Sequence, residues 1–344
     1  MENFYDVVIV GAGPAGAAAA RELVGSGYRV LVVEKKKLPR YKICSGLIME
    51  RAQDLLIRSF GEPPVDVFSK PDFLKGSRLS ISGNALTDLP VGRPRIYNVW
   101  RSTFDNWLIR QSGADILESH RLVDFTQSER RVEATIEGPG AERRRVGARY
   151  LIGADGGISH TRHLLDPGFE EKIGYSTFVQ LYCFATIDLD PKYYYLFFDQ
   201  SLSAFYTWLH VKDDYLVYGV GAHSGGLIPK CIQDSTDYLA ERFGLKVEEI
   251  KRKTGCLVSN MAVKGIFPLG RGRVLLAGEA AGYVNVFGEG ISSALATGQL
   301  AGQAIHEAET SGRDAFPVYS DLSQREQKMT TQSWEITKSL KIRF

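Results

Sequence analysis

The sequence is poor in cysteine, and its few cysteines form no recognisable framework. Among 344 residues there are four, Cys44, Cys183, Cys231 and Cys256, and no two form a C-x-x-C pair. Disulfide-stapled secreted domains and zinc sites both need closely spaced cysteines, so we expect neither, and we predict no metal site. Such cysteine usage is typical of a reducing compartment, and we expect a cytoplasmic protein.

Long apolar runs and an excess of one charge are also missing. No uninterrupted apolar stretch approaches the ~20 residues of a membrane-spanning helix, and the N-terminus lacks the basic leader of a signal peptide. With 42 basic and 40 acidic residues, the net charge is only +2, which argues against nucleic acid as a partner. The length of 344 residues exceeds the rough prior of ~150 residues per domain, so we expect two domains.

The most informative segment opens the chain and reads YDVVIVGAGPAGAAAARELVGSGYRVLVVE. The β-branched run at 7–10 predicts a buried parallel strand. An alanine-rich helix over 15–24 and a second apolar strand over 28–33 are predicted to follow. This strand–helix–strand order is the setting in which a glycine-rich turn binds a dinucleotide.

Three glycines in that turn have the G-x-G-x-x-G spacing. Gly11 permits the tight turn, Gly13 lets the backbone approach a pyrophosphate, and Gly16 lets the helix pack closely on the strand. Glu34, which lies 18 residues after Gly16, can accept hydrogen bonds from ribose hydroxyls and disfavours a 2′-phosphate. The segment predicts a dinucleotide site; the alternative is a glycine-rich turn in an α/β protein without a ligand.

Two distant stretches add to this prediction. ARYLIGADGGISHTRHLL (148–165) contains a strand, a Gly-Ala-Asp-Gly turn and a helix start. GRVLLAGEAAGYVNVFGEGISSALATGQLAGQAI (272–305) contains a strand, a Gly-Glu pair, a loop of small residues and a long helix. With the first segment, they resemble the FAD-binding fingerprints of the para-hydroxybenzoate hydroxylase-like flavoproteins, in the expected order.

The resemblance implies an FAD-binding role for residues from all parts of the chain. They are Gly11, Gly13, Ala15, Gly16, Glu34 and Lys35 for the ADP half, Asp155 and Gly156 near the pyrophosphate, Gly278 and Glu279 at the ribitol chain, and Arg101, Cys44, Gly288, Gly290 and Ile291 on the flavin side. Glu279 lies where the family usually has Asp, whose side chain is one methylene shorter. Glu289 is either part of the flavin site or a solvated loop acid.

Only one dinucleotide fold is predicted. Gly219-Val220-Gly221 repeats the G-x-G pattern but lacks the third glycine and the following helix, so we interpret it as a turn at a strand end. Without a second nicotinamide domain, the electron donor is expected to bind transiently. NADPH, NADH and ferredoxin are the three candidates.

The predicted fold class is α/β, or α+β for the whole chain, with a Rossmann-like FAD-binding domain and a second, sheet-rich substrate domain. The FAD-binding domain is discontinuous, with residues 1–69, 95–167 and 265–344. Residues 70–94 and 168–264 form the substrate domain, whose aromatic, β-branched stretches predict antiparallel strands.

The tail from Val318 to Phe344 is predicted to be helical. Trp334, Ile336 and Leu340 alternate there with Lys338, Lys341 and Arg343. We expect this helix to pack on the FAD-binding domain, and peripheral contact with a membrane surface is the alternative.

LPRYKICSGLI (38–48) resembles the Pro-Arg-x-Lys-x-Cys-Gly stretch of the geranylgeranyl reductase family, with Ser45 where a glycine is common. The family also has a Tyr-x-Trp-x-Phe-Pro strand. Here Tyr206 and Trp208 match it, whereas His210 and the following valine do not. The resemblance implies a hydrophobic, polyprenyl-type substrate and a substrate pocket, reshaped in this chain, with Tyr206 and Trp208 as its walls.

Cys44 and His210 are the candidate catalytic residues. A free thiol is mostly protonated at neutral pH, so Cys44 could protonate one alkene carbon while reduced flavin gives hydride to the other. Arg40 and Lys42 would instead favour a thiolate, and a buried apolar cysteine is the third interpretation. His210 is either a catalytic acid or a structural histidine.

Three functions remain open at this stage. The leading hypothesis is an FAD-dependent oxidoreductase that reduces carbon–carbon double bonds of a hydrophobic, polyprenyl-type small molecule. The alternative is a flavin monooxygenase that hydroxylates an aromatic or polyketide-like molecule, because fold alone does not fix the chemistry. A non-catalytic flavin-binding protein is the third.

Overall fold

The computed structural model describes residues 4–89 and 95–339, the last four of these by backbone only. The helices are α1 (Pro14–Gly25), α2 (Glu50–Phe60), α3 (Arg101–Gln111), α4 (His160–Leu165), α5 (Ile228–Phe243), α6 (Ile291–Ser311) and α7 (Ala315–Ser339). The strands are β1 (Phe4–Val10), β2 (Val30–Glu34), β3 (Leu47–Ile48), β4 (Phe68–Leu74), β5 (Gly76–Ile81), β6 (Thr87–Asp88), β7 (Ile96–Val99), β8 (Asp115–Glu118), β9 (Arg121–Gln127), β10 (Val132–Glu137), β11 (Arg143–Gly153), β12 (Tyr175–Thr186), β13 (Tyr193–Phe198), β14 (Thr207–Lys212), β15 (Tyr215–Ala222), β16 (Lys246–Ser259), β17 (Gly270–Arg271) and β18 (Val274–Leu276).

The largest sheet is built around β1 and is mostly parallel. Its order is β17-β18-β11-β1-β2-β8, and β10 and β9 continue antiparallel from β11. β1 pairs in parallel with β2 and β11, which brings the chain's first and middle fingerprints to one edge. Residues 7–10 of β1 and 30–33 of β2 are apolar and buried, as a sheet covered on both faces requires.

The second sheet has seven strands in the order β16-β12-β15-β14-β13-β5-β6. Its pairings are antiparallel except that β13 runs parallel to β5. One face packs on α5 through an apolar cluster that includes Leu181, Tyr195, Leu209 and Leu239. A small antiparallel sheet, β3-β7-β4, completes the structure.

Close packing between α1 and α6 brings the third fingerprint to the first. A Cβ at Gly298 would lie 2.1 Å from the carbonyl oxygen of Ala15, so only glycine allows α6 to approach α1 this closely. In the same way, a Cβ at Gly16 would lie 2.0 Å from the oxygen of Gly11. The mixed α/β fold class is therefore confirmed, with its three fingerprints converging on one region.

The Gly219–Gly221 prediction was wrong. Both glycines lie inside β15, paired with β12, and not in a turn at its end. A Cβ at Gly219 would lie 2.2 Å from the Trp208 indole, and one at Gly221 would lie 2.5 Å from the Phe178 ring. These glycines make room for two aromatic rings.

The predicted C-terminal helix is present as α7. Trp334 is 8% exposed and donates from its Nε1 to the Val284 oxygen at 2.9 Å, so at this residue the helix packs against the protein. Leu340, Lys341 and Arg343 lie outside the described residues, as do the side chains of Ile336 and Lys338. Within the described residues, no helix is both long and apolar enough to cross a bilayer.

The division into two domains stays a prediction. Its boundary at residue 70 falls inside β4, which pairs with β7. Residues 90–94, at the second predicted boundary, lie outside the described part of the chain.

Candidate active site

One cavity of about 1080 Å³ runs between the large, mostly parallel sheet and the second sheet, β16-β12-β15-β14-β13-β5-β6, which we call the aromatic sheet. It is larger than the roughly 300–1,000 Å³ of most small-molecule pockets. Nearly all of the predicted site residues line it: Gly11, Gly13, Ala15, Glu34, Lys35, Cys44, Arg101, Asp155, Gly156, Tyr206, Trp208, Glu279, Gly288, Gly290 and Ile291. Gly16, Gly278 and His210 lie behind its wall.

The glycine turn after β1 faces the cavity at Gly11 and Gly13. Gly11 has φ +107, and a Cβ there would lie 2.5 Å from the Ala154 oxygen, so both its conformation and its neighbour demand glycine. Gly13 is the N-cap of α1 and has no capping side chain. Among the described residues, a Cβ at Gly13 would meet only the Arg40 guanidinium, at 3.7 Å. The space above Gly13 is therefore a cradle at a helix N-terminus, where a phosphate binds.

Glu34, at the end of β2, is fixed by three partners. Its carboxylate accepts hydrogen bonds from the backbone N–H groups of Ala12 and Lys36, both at 3.0 Å. It also pairs with the Arg40 guanidinium at 3.1 Å. The carboxylate lines the cavity next to Gly11, which is where a ribose would meet it.

Asp155 lines the cavity, and its carboxylate also organises the loop that follows it. Its carboxylate accepts hydrogen bonds from the Ser159 hydroxyl at 2.5 Å and from the backbone and hydroxyl of Thr161 at 2.9 and 3.0 Å. Gly156 has φ +85, and a Cβ added there would meet no atom of the described residues within 4 Å. The loop thus places open space above the Gly156 backbone in the part of the cavity that Asp155 also lines.

Glu279 has room for its extra methylene because of a neighbouring glycine. A Cβ at Gly157 would lie 2.6 Å from the Glu279 carboxylate. The adjacent Gly278, with φ +63, packs on the Ala15 side chain and donates its N–H to the Thr297 hydroxyl at 2.9 Å. The Gly157–Glu279 contact explains how this chain accommodates Glu where the resemblance expects Asp.

Glu289 caps α6 and is not a free loop acid. Its carboxylate accepts from the Ser292 N–H at 2.7 Å and from the Ser292 hydroxyl at 2.6 Å. Asn285 closes the loop by accepting the Glu289 N–H at 3.0 Å. Gly290 and Ile291, at the start of α6, line the cavity beside this cap.

The segment 44–46 is held from both sides. Gln180 on β12 approaches the Cys44 oxygen at 3.4 Å, and the His210 Nε2 contacts the Ser45 oxygen at 3.2 Å. The positive charge of Arg101 interacts with the Cys44 side chain. Burial alone would lower the pKa of Arg101, but its pairing with Asp105 and its contact with Cys44 raise that pKa overall.

His210 does not reach the cavity. It is 1% exposed, its ring packs edge-on against Tyr194, and its Nδ1 has no hydrogen-bond partner among the described residues. Burial, followed by the charge of Lys212, holds the pKa of His210 well below its ordinary value. A neutral imidazole behind the Ser45 carbonyl does not meet a bound substrate, so the geometry favours the structural interpretation of His210 over the catalytic one.

The far end of the cavity is apolar and aromatic. Tyr206 and Trp208 line it with Phe178 and Leu196. The Tyr206 hydroxyl donates to the Phe287 oxygen at 2.7 Å, so its polar end is satisfied. What remains exposed to the cavity is ring surface, which suits a hydrophobic ligand.

Sequence reasoning missed two buried charged residues beside Cys44. Asp105 is 0% exposed and binds Arg101 at 2.7 and 2.9 Å and Arg40 at 3.0 Å. Lys212 is 1% exposed and donates from its Nζ to the Val99 oxygen at 2.6 Å. The sequence carried no signal of their burial, because charged residues are mostly exposed.

These features fit FAD better than a smaller nucleotide. A phosphate cradle at Gly13, a fixed carboxylate at Glu34 and the start of α6 all face one cavity that ends in an apolar chamber. A dinucleotide with a planar ring system would occupy the cavity from the cradle to α6. The site and the fold together define an FAD-dependent oxidoreductase.

Residues 4–296 match the FAD binding domain family, to which the chain therefore belongs. Protein CbrA of Escherichia coli (strain K12) is 28% identical over 355 residues, covering 100% of this chain and 91% of the relative. This match spans the whole chain and includes the aromatic sheet as well as the nucleotide end.

Solved structures show the same fold. The chain is similar to a geranylgeranyl bacteriochlorophyll reductase-like protein from Thermoplasma acidophilum, with a TM-score of 0.82, 20% identity, and coverage of 99% of this chain and 88% of that one. It is also similar to p-nitrophenol 4-monooxygenase PnpA from Pseudomonas putida DLL-E4, with a TM-score of 0.74, 16% identity, and coverage of 98% and 89%. The expected hydroxylase-like flavoprotein fold is confirmed, and it is shared by proteins named for different reactions.

Proposed function

We propose that this flavoprotein reduces a carbon–carbon double bond of a hydrophobic, polyprenyl-type substrate. The observation that carries the proposal is the position of Cys44. It lines the cavity together with the α6 N-terminus on one side and Tyr206 and Trp208 on the other. A thiol there meets both the end that suits a flavin and the end that suits an apolar chain.

Reduction of an alkene needs one hydride and one proton. FAD, once bound and reduced, supplies the hydride. Cys44 gives its proton to the other alkene carbon and regains it from solvent, so the alkene gains two hydrogens and the thiol is unchanged. The positive charge of Arg101, which interacts with Cys44, would offset the negative charge left on the sulfur.

The electron donor is proposed to bind transiently, with NADPH, NADH and ferredoxin as the candidates. The cavity is the one site proposed for a dinucleotide, and FAD fills its cradle at Gly13.

Anaerobic reoxidation tests the proposal. The FAD-bound protein is reduced with dithionite, and isoprenoid alkenes or oxygen are then admitted separately while flavin absorbance is followed. Reoxidation by an alkene without oxygen, with the saturated product found by mass spectrometry, is the expected result. Cys44→Ser should slow this step by about 10²-fold or more while FAD stays bound. Reoxidation by oxygen alone, across a broad alkene panel, contradicts the proposal.

Hydroxylation of an aromatic or polyketide-like molecule is the second candidate. What favours it is that the chain shares its fold with p-nitrophenol 4-monooxygenase PnpA. Oxygen consumption that depends on an aromatic substrate and yields its hydroxylated product would support this candidate. A flavin that neither reaction reoxidises would support a non-catalytic role.

A further inference from the structure

Lys212 is a buried charged group that the proposed chemistry leaves unused. Its Nζ donates to the Val99 carbonyl oxygen at 2.6 Å and lies 5.0 Å from the centroid of the Trp100 ring. Removing an ammonium from water is costly unless its partners compensate. A methionine would fill the same space without that cost, so the charge itself needs an explanation.

Contacts through Gly46 connect Lys212 to Cys44. A Cβ at Gly46 would lie 2.5 Å from the Lys212 Nζ and 2.0 Å from the Val99 oxygen, so both atoms pack directly on the Gly46 Cα. The Val99 N–H donates to the Gly46 oxygen at 2.8 Å. The Gly46 N–H in turn approaches the Cys44 Sγ at 3.4 Å. The ammonium therefore supports the peptide that contacts the thiol.

We propose that Lys212 is a positioning residue for Cys44, whose ammonium fixes the pairing of Val99 with Gly46 and whose positive charge stabilises the Cys44 thiolate. The catalytic value of that thiol rests on the proposed function. The linkage between the two side chains does not, because it concerns only contacts within this chain.

The charge of Lys212 changes close to neutral pH. Burial lowers the pKa of Lys212 to about 7, although Cys44 and Asp213 raise it and Arg101 lowers it further. His210, on the same face of β14, is neutral because burial lowers its pKa. Around neutral pH, Lys212 is therefore the neighbour of Cys44 whose charge varies.

Alkylation of Cys44 measures this linkage without any substrate. The FAD-bound wild-type protein, Lys212→Met and Lys212→Gln are treated with iodoacetamide between about pH 6 and about pH 9. Modification of the Cys44 and Cys256 peptides is then quantified by mass spectrometry. Cys256 is the internal control because it lines the same cavity, while burial raises its pKa to about 11.

At about pH 6 we expect Cys44 to react about 3- to 10-fold more slowly in both variants than in the wild type, because the charge that favours the thiolate is gone. The rates should converge at about pH 9, where Lys212 is neutral in the wild type. Lys212→Gln retains a donor for the Val99 oxygen, so it separates the loss of charge from the loss of the hydrogen bond to Val99. Equal rates at about pH 6, or an equal change at Cys256, would overturn the proposal.

If neither variant retains FAD, the pH dependence of Cys44 alkylation in the wild type tests the proposal. The Cys44 rate must then show a second inflection near the titration of Lys212, which Cys256 lacks. A single inflection would overturn the proposal. If the alkene reaction is found, Lys212→Met should lower kcat and leave KM nearly unchanged; failure to find any alkene reaction leaves the alkylation result standing.

Discussion

Asp105 binds Arg101 through both carboxylate oxygens, at 2.7 and 2.9 Å, and the Asp105 side chain is fully buried. The same carboxylate binds Arg40 at 3.0 Å, and Arg40 continues to Glu34 at 3.1 Å. One buried acid thus connects the arginine beside Cys44 with the carboxylate that faces the nucleotide. This network explains how two cationic side chains are held at the cavity without filling it.

Replacing Asp105 by Asn should destabilise the protein and weaken FAD binding together. The change leaves two guanidinium groups buried with one carboxylate fewer, a loss of about 3–5 kcal/mol in the free energy of unfolding. Urea unfolding and a fluorescence titration with FAD measure the two effects. Asp72→Asn is the control, because the Asp72 pair with Lys70 is at the surface and is worth about 0–1 kcal/mol. An Asp105 variant as stable as that control would contradict the network.

Gly13→Ala should lose FAD while keeping its fold. Among the described residues, no atom except the Arg40 guanidinium, at 3.7 Å, lies near the added methyl group, so we expect the stability of the FAD-free protein to change by less than about 0.5 kcal/mol. The methyl group enters the phosphate cradle and should raise the Kd for FAD by about tenfold or more. Gly25→Ala, near the other end of α1, is the matched control, because a Cβ there meets no described atom within 4 Å. Equal FAD affinity in the two variants would show that the phosphates bind elsewhere.

The fingerprint glycines could be predicted from sequence because their constraints are local. Gly11 needs its positive φ of +107 in a turn whose spacing is visible in a few letters. Asp105 and Lys212 could not be predicted in this way, since Asp105 meets Arg40 at a sequence separation of 65 residues and Lys212 meets Val99 at one of 113. The charge of such residues gives no hint that they are buried until the two sheets are assembled.

The aromatic sheet was predicted in part. Its aromatic strands were visible as β-branched and aromatic runs, whereas β16 was not. This strand carries KVEEIKRK in its first half and is largely exposed at the sheet edge, where charged residues protect against edge-to-edge pairing. Gly219 and Gly221 were wrongly predicted to form a turn. A glycine inside a strand can make room for an aromatic ring, but the sequence alone does not show which ring lies beside it.

Gly219→Ala should reshape the chamber without affecting the nucleotide end. Its methyl group would overlap the Trp208 indole at 2.2 Å, and relieving that overlap costs about 1–3 kcal/mol. FAD binding should be unchanged, while the KM for a hydrophobic substrate rises. Tryptophan fluorescence and thermal unfolding report the displaced ring, and Gly226→Ala in an exposed turn is the control. An unaltered KM with a displaced ring would place the substrate away from Trp208.

The buried Lys212 should make stability depend on pH with a definite sign. Its ordinary pKa is 10.5 and its pKa in the folded protein is about 7, so between these values the unfolded chain holds a proton that the folded protein lacks. The free energy of unfolding then rises with pH through this residue, by at most about 1.4 kcal/mol per pH unit.

Urea unfolding of the wild type and Lys212→Met between about pH 7 and about pH 9 isolates that contribution, because the cysteines, which titrate near about pH 8.5 when unfolded, are common to both proteins and cancel in the difference. The wild type should gain stability relative to the variant across this window. Lys230→Met provides the comparison for a lysine in solvent, because Lys230 lies at the surface and pairs with Asp234. A difference between wild type and Lys212→Met that stays constant with pH would mean that Lys212 keeps its proton in the folded protein, and that its charge is balanced more fully than the Val99 oxygen and the Trp100 ring suggest.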